Sequence, residues 1–244
     1  TLGRTESGLS GTSYTYAIDD EKSDFEISSD LIPPLFRDVL ALYHFDGTDG
    51  STTFTDSTGK NTVYAVGGNA NIENTQSRFG GTSLQSDGTG AYIELNDRSE
   101  WDFASNDFTV ELWVYSTYTP TAGQNQFVLC RDNIGVTRGW GIAISGDLSG
   151  KLAVSIFSNN STAYSIYSLA ALALNQWVHI AWSRVGNTMR LWLDGTLQGT
   201  ADVTGVTCQN ANVRPLIACG RLSGSPVYPW SFDGYIDDFR VIPG

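Results

Sequence analysis

Residues 177–199 read WVHIAWSRVGNTMRLWLDGTLQG, and this stretch decides the fold. Val178, Ile180 and Trp182 alternate with His179, Ala181 and Ser183, the period-two pattern of a strand with one covered face. The turn Val185-Gly186-Asn187-Thr188 reverses the chain into Met189-Arg190-Leu191-Trp192-Leu193. Asp194-Gly195 then reverses it again into Thr196-Leu197-Gln198-Gly199. Asp-Gly between strands is a strong hairpin signal, because both residues tolerate positive φ. Two hairpins in succession predict an antiparallel meander.

The same signal recurs on both sides. Phe108, Val110, Leu112 and Val114 alternate with Thr109, Glu111, Trp113 and Tyr115. Shorter strands are expected at 40–45, 92–95, 126–131, 141–145 (GIAIS), 152–157 (LAVSIF), 216–220 and 235–242. A dozen short strands without a long amphipathic helix imply an all-β fold: a two-sheet antiparallel jelly-roll sandwich. Composition agrees. Among 244 residues only 16% are charged, 12% are aromatic and 26 are glycine, a profile of β-branched and aromatic strands joined by glycine turns.

Lys and Arg number 14 against 26 Asp and Glu, a net charge of −12. Phosphate neutralisation needs basic groups, so no nucleic acid is expected as a partner, and no anionic membrane surface. Membrane insertion is not expected either. The longest apolar run, Leu169 to Leu174, falls well short of the ~18 residues needed to span a bilayer. Three cysteines, Cys130, Cys208 and Cys219, form no framework; Cys208 and Cys219 are either buried thiols or a pair across a hairpin. With two histidines and no CxxC, a zinc site is excluded.

Residues 1–38 stand apart as an extended acidic N-terminal arm. They carry Glu6, Asp19, Asp20, Glu21, Asp24, Glu26, Asp30 and Asp38 against Arg4, Lys22 and Arg37. Such a segment buries too little apolar surface to offset its ordering entropy alone. It is therefore expected to lie along a partner chain and act as an anchor.

Several motifs in order resemble one family, the laminin-G-like, concanavalin A-type jelly-roll modules. They are Ala41–Gly47 (ALYHFDG) with Asp56-Ser57-Thr58-Gly59, Arg78–Leu84 (RFGGTSL) running on to Ala91–Glu94 (AYIE), and Phe108–Tyr115 (FTVELWVY). Asn175–Trp182, Gly186–Gly195 and Phe232–Val241 (FDGYIDDFRV) complete the set. The resemblance covers residues 39–244. It implies a Ca²⁺ ion tying the exit of the first strand to the last strand, with Asp46, Asp56 and Asp238 as oxygen donors. Asp46-Gly47 and Asp56-Ser57 equally fit Asx turns, so both readings stand. Trp177 and Trp182 are expected in the core, and Arg240 is expected to pair with Asp237 or Asp238.

Relatives that hydrolyse β-glucans carry E-x-D-x-E on one strand, which places the carboxyls ~5–5.5 Å apart on one face. The matching strand here is Glu111-Leu112-Trp113-Val114-Tyr115, with one carboxylate. A glycoside hydrolase is therefore disfavoured, and no catalytic residue is assigned. A glycan-binding module would instead use loop aromatics, of which Tyr118, Trp140, Tyr164, Tyr228 and Trp230 are the candidates. The alternative is that these rings cap the end of the sandwich. The arm and the sandwich together suggest a non-catalytic adhesive module displayed on a large assembly, a virion decoration or tail protein. It would sit at a virion or extracellular surface, folded in the host cytoplasm if viral, and touch surface glycans. The runner-up is a free carbohydrate-binding lectin module.

Overall fold

The computed structural model describes residues 3–7, 13–17, 38–227 and 230–244. Contacts divide the chain into two units, Thr1–Arg37 and Asp38–Gly244. In the first unit β1 (Gly3–Ser7) pairs antiparallel with β2 (Ser13–Ala17), from Gly3 opposite Ala17 to Ser7 opposite Ser13. Within the segment expected to be an extended arm, these two strands pair with each other. Ser13-Tyr14-Thr15-Tyr16 is strand-favouring sequence that its acidic surroundings obscured. The rest of the proposed anchor lies outside the described residues.

The second unit begins with β3 (Ala41–Tyr43), β4 (Val63–Gly67), β5 (Asn71–Glu73), β6 (Ser83–Asp87) and β7 (Tyr92–Leu95). A single 3₁₀ turn, Ser99–Trp101, precedes β8 (Phe108–Ser116), β9 (Asn125–Asn133), β10 (Thr137–Ser145), β11 (Lys151–Phe157) and β12 (Ala163–Ala171). The quoted meander forms β13 (Trp177–Val185), β14 (Thr188–Leu193) and β15 (Thr196–Asp202). Then come β16 (Leu216–Ile217), β17 (Gly220–Leu222), β18 (Ser225–Val227) and β19 (Asp233–Pro243).

Two antiparallel sheets carry the body. One has the order β15-β14-β13-β8-β19-β6-β5, with β3 also paired to β19, and makes eight strands. The other, of seven strands, has the order β12-β11-β10-β9-β16-β7-β4. The meander forms in the expected register, with Val185 opposite Thr188 and Leu193 opposite Thr196. Asp194 and Gly195 both have positive φ, 47° and 74°, the twist that a two-residue hairpin requires.

Alternation decides which face each strand buries. Along β8 every second residue, from Phe108 to Val114, is buried while Thr109, Glu111, Trp113 and Tyr115 face outward. Between the sheets Phe103 stacks on Phe108 at 4.2 Å and on Trp140 at 4.7 Å, and Trp182 meets Phe108 edge-on at 4.8 Å. Burying each such ring contributes about 2–3 kcal/mol. Trp182 therefore sits in the core as expected, but Trp177 does not. Trp177 lies in a row on the outer face of the eight-stranded sheet, 5.7 Å from Tyr115, which is 5.8 Å from Tyr235. Arg240 also departs from expectation: it pairs with Glu111 rather than with Asp237 or Asp238. A bulge between Asp237 and Arg240 rotates the intervening strand and redirects the guanidinium. All three cysteines are buried free thiols.

Candidate functional site

Three adjacent strands of the seven-stranded sheet share one pattern. On β10, Ile142 and Ile144 point into the core while Gly141, Ala143 and Ser145 face outward. On β11, Leu152, Val154 and Ile156 point in, and Ala153, Ser155 and Phe157 face out. On β12, Ile166 points in, flanked by outward Ser165 and Tyr167. Large aliphatics hold the sheet to its partner, and small residues leave the outer surface hollow. The result is a groove of ≈ 370 Å³, within the range of small-molecule sites.

The floor of the groove is Gly141, Ala143, Ala153, Ser155 and Ser165, with the two hydroxyl oxygens 2.7 Å apart. Tyr167 forms a wall and is 48% exposed, enough to offer its ring face. At one end the Arg138 guanidinium lies over the Phe157 ring, 3.7 Å from its centroid. Asp132, 2% exposed, fixes this arrangement. Arg138 Nε donates to both Asp132 oxygens at 2.8 Å, and the Gly139 N–H donates to Asp132 Oδ1 at 3.0 Å. At the other end are Asn125, Leu148 and Asp147, whose Oδ1 accepts the Gly123 N–H at 2.7 Å.

The neighbouring part of this sheet face is covered. Phe127, Cys130, Ala143 and Leu216 form a second apolar cluster with Tyr92, Ile134 and Trp230 packed against it. Trp230 lies 6.0 Å from Phe127, which itself lines the groove. Of the five candidate rings, Trp230 thus abuts the groove through Phe127. Tyr118 is exposed but does not line it. Tyr164 packs partly against the inner core from β12. Trp140 is fully buried and its Nε1 donates to the Trp101 carbonyl at 2.9 Å, so it offers no surface ring. The expectation for Trp140 is corrected: it shares the inward phase of Ile142 and Ile144. Tyr228 lies outside the described residues. Sequence reading missed Phe157, Tyr167, Arg138 and Asp132 because it looked to loops, whereas the signal lay in the outward Gly, Ala and Ser of consecutive strands.

Each of the three aspartates assigned to calcium has its own surroundings. Asp56 is buried, and five donors saturate its carboxylate. These are the N–H groups of Leu42, Thr58 and Asn61, the Thr58 hydroxyl and the Asn61 amide, at 2.6 to 3.1 Å. It is the Asx turn. Asp238 has φ 49° and accepts from His44 Nδ1 at 2.5 Å. Asp46 is exposed beside Gly80, where any Cβ would fall 1.7 Å from Asp46 Oδ1. Among the described residues no three His, Cys, Asp or Glu side chains gather around one point.

Asp237, not singled out for binding, is the buried carboxylate of this region. It holds the 78–79 loop through the N–H groups of Arg78 (2.8 Å) and Phe79 (2.9 Å). Burial pushes its carboxyl up to about 6, against those hydrogen bonds and with help from the Asp238 charge. On the strand compared with E-x-D-x-E, Glu111 is taken by Arg240 and stands 3.5 Å from His179 Nε2. Burial holds that imidazole below its ordinary range despite the nearby charges of Asp194 and Asp238.

A family model described as the concanavalin A-like lectin/glucanases superfamily matches residues 87–244. No curated protein matches the chain. Similar solved structures include the binding domain of Paraclostridial Mosquitocidal Protein 1. It has a TM-score of 0.66 and 14% identity, over 86% of this chain and 49% of that one. Domain 4 of AbnA, a GH43 extracellular arabinanase from Geobacillus stearothermophilus, is in complex with arabinotriose. It has a TM-score of 0.56 and 20% identity, over 84% of this chain and 92% of that one. A structure of botulinum neurotoxin type C, whose cell entry depends on interaction with two ganglioside molecules, has a TM-score of 0.58 and 12% identity. It covers 86% of this chain and 48% of that one. At these identities the likeness is one of fold, and this chain spans about half the length of the toxin structures.

Proposed function

The chain belongs to the concanavalin A-like lectin/glucanases superfamily, and on that premise we propose that it is a carbohydrate-binding module. The oligosaccharide lies in the groove on the outer face of the seven-stranded sheet. One observation carries this reading: outward Gly, Ala and Ser on adjacent strands hollow a floor that Phe157 and Tyr167 border. Sugar C–H faces stack on the exposed Tyr167 ring, and hydroxyls find Ser155, Ser165 and Asn125. The arabinotriose-bound arabinanase domain and the ganglioside-dependent toxin support a sugar as the ligand class.

The module binds without cleaving. The groove's two carboxylates, Asp132 and Asp147, stand at opposite ends of it. Asp147 is hydrogen-bonded to Gly123, just before β9, and the seven steps from Asn125 to Asp132 along that strand, at about 3.3 Å each, put roughly 23 Å between the two ends. Glycosidases hold their pair ~5–9.5 Å apart. Titration calorimetry with neutral oligosaccharides tests the reading. Ser155→Trp, which fills the floor with an indole, is expected to weaken binding more than about tenfold while the melting temperature stays within about 2 °C. Unchanged affinity in this variant, or no sugar binding by the native chain, refutes it.

The acidic segment supports a second, separable role. Residues 1–37 form their own contact unit and serve to attach the module to a larger assembly at a virion or extracellular surface. A chain starting at Asp38 is expected to keep sugar affinity and to lose incorporation into that assembly.

A further inference from the structure

We infer that the groove selects neutral over anionic oligosaccharides, and that Asp132 and Asp147 set this selectivity. The inference rests on the groove being the sugar site. The fold leaves ligand charge open, since arabinotriose is neutral and gangliosides are sialylated, so this chain's own residues decide it.

The charged side chains lining the groove are Asp132, Asp147 and Arg138. Arg138 is spent. Its Nε contacts both Asp132 oxygens at 2.8 Å and its Nη2 lies 2.7 Å from Asp132 Oδ2. Its guanidinium rests on Phe157 at 3.7 Å, which makes it part of the wall rather than an open anion hook. Asp132 is 2% exposed and also accepts the Gly139 N–H, so the pair is held in place from both sides. Asp147, exposed at the other end, is left uncompensated by any lining cation among the described residues. Lys151 lies on the same strand face, opposite Ser145 and Ala171, but does not line the groove.

A uronate or sialate carboxylate entering this groove meets a neutralised cation at one end and a carboxylate at the other. The chain's charge of −12 adds long-range repulsion. A neutral sugar loses nothing to these charges and keeps the hydroxyl, amide and ring contacts. Two like charges in a partly desolvated site disfavour binding by about tenfold.

The test is a glycan array probed with the full chain. It is printed with neutral oligosaccharides, each beside its uronate or sialylated counterpart, at low and high salt. The expected result is about tenfold stronger binding to the neutral member, with the gap narrowing at high salt. Asp132→Asn frees Arg138 and is expected to bring up signal on acidic members. Because Asp132 is buried, the exposed and isosteric Asp147→Asn is the second variant, expected to narrow the gap with folding intact. Equal or stronger native binding to acidic members, or an unchanged gap in Asp147→Asn, overturns the inference. Sensitivity of that binding to Ser155→Trp then leaves the groove itself standing. A blank array, or binding indifferent to Ser155→Trp, overturns the groove and this inference with it.

Discussion

Asp56 and Asp237 are both buried carboxylates, and their surroundings push them in opposite directions. Burial raises Asp56, but hydrogen bonds from Thr58, Leu42 and Asn61 together outweigh it and hold its carboxyl below the ordinary range. Its contribution is therefore present above about pH 4 and lost as pH falls through its folded pKa. Asp56→Ala strands donors of β3 and of residues 58–61 and is expected to destabilise the body by about 3 kcal/mol in urea titration at pH 7. Asp237 has the opposite sign. Its folded value of about 6 lies above the unfolded one, so its contribution is full below about pH 4 and lost as pH rises through about 6. The native chain should lose on the order of 2–3 kcal/mol relative to Asp237→Asn between pH 4 and 7. A pH-independent difference refutes this. Asp56-Ser57 was readable as a turn from its spacing. The burial of Asp237 was not, because it depends on residues 78–79 folding across a strand 158–159 positions away.

At the scale of the strand, the hairpins were legible because Asp194-Gly195 and the alternation around it are local properties. The groove was less so. Gly141, Ala143, Ser155 and Ser165 carry no chemical signal singly and acquire meaning when three strands align. Trp140 shows the same limit. It counts among the loop aromatics on sequence, yet extending the GIAIS alternation back by one residue puts it in phase with Ile142. Its ring packs on Phe103 at 4.7 Å with its N–H bonded to Trp101. Trp140→Ala is expected to cost about 3–5 kcal/mol in stability by chemical denaturation. Tyr118→Ala, on an exposed ring, should stay within about 0.5 kcal/mol of the native chain.

For the molecule as a whole, the two sheets follow from pattern and composition. Which strands neighbour one another does not, since register between distant strands is fixed by packing. The order matters most at β19. The last strand pairs with β8, β6 and β3, so it occupies the middle of its sheet. It carries Ile236, Phe239 and Val241 into the core, each fully buried. Deleting 233–244 should abolish cooperative unfolding by calorimetry rather than merely lower the midpoint. The gap so left is a slot bounded by hydrogen-bonding edges on both sides and closed beneath by apolar side chains. A synthetic peptide of those twelve residues should enter it in trans, rejoining two separately made pieces into one body. Cooperative melting should then return only when the twelve-residue keystone is supplied.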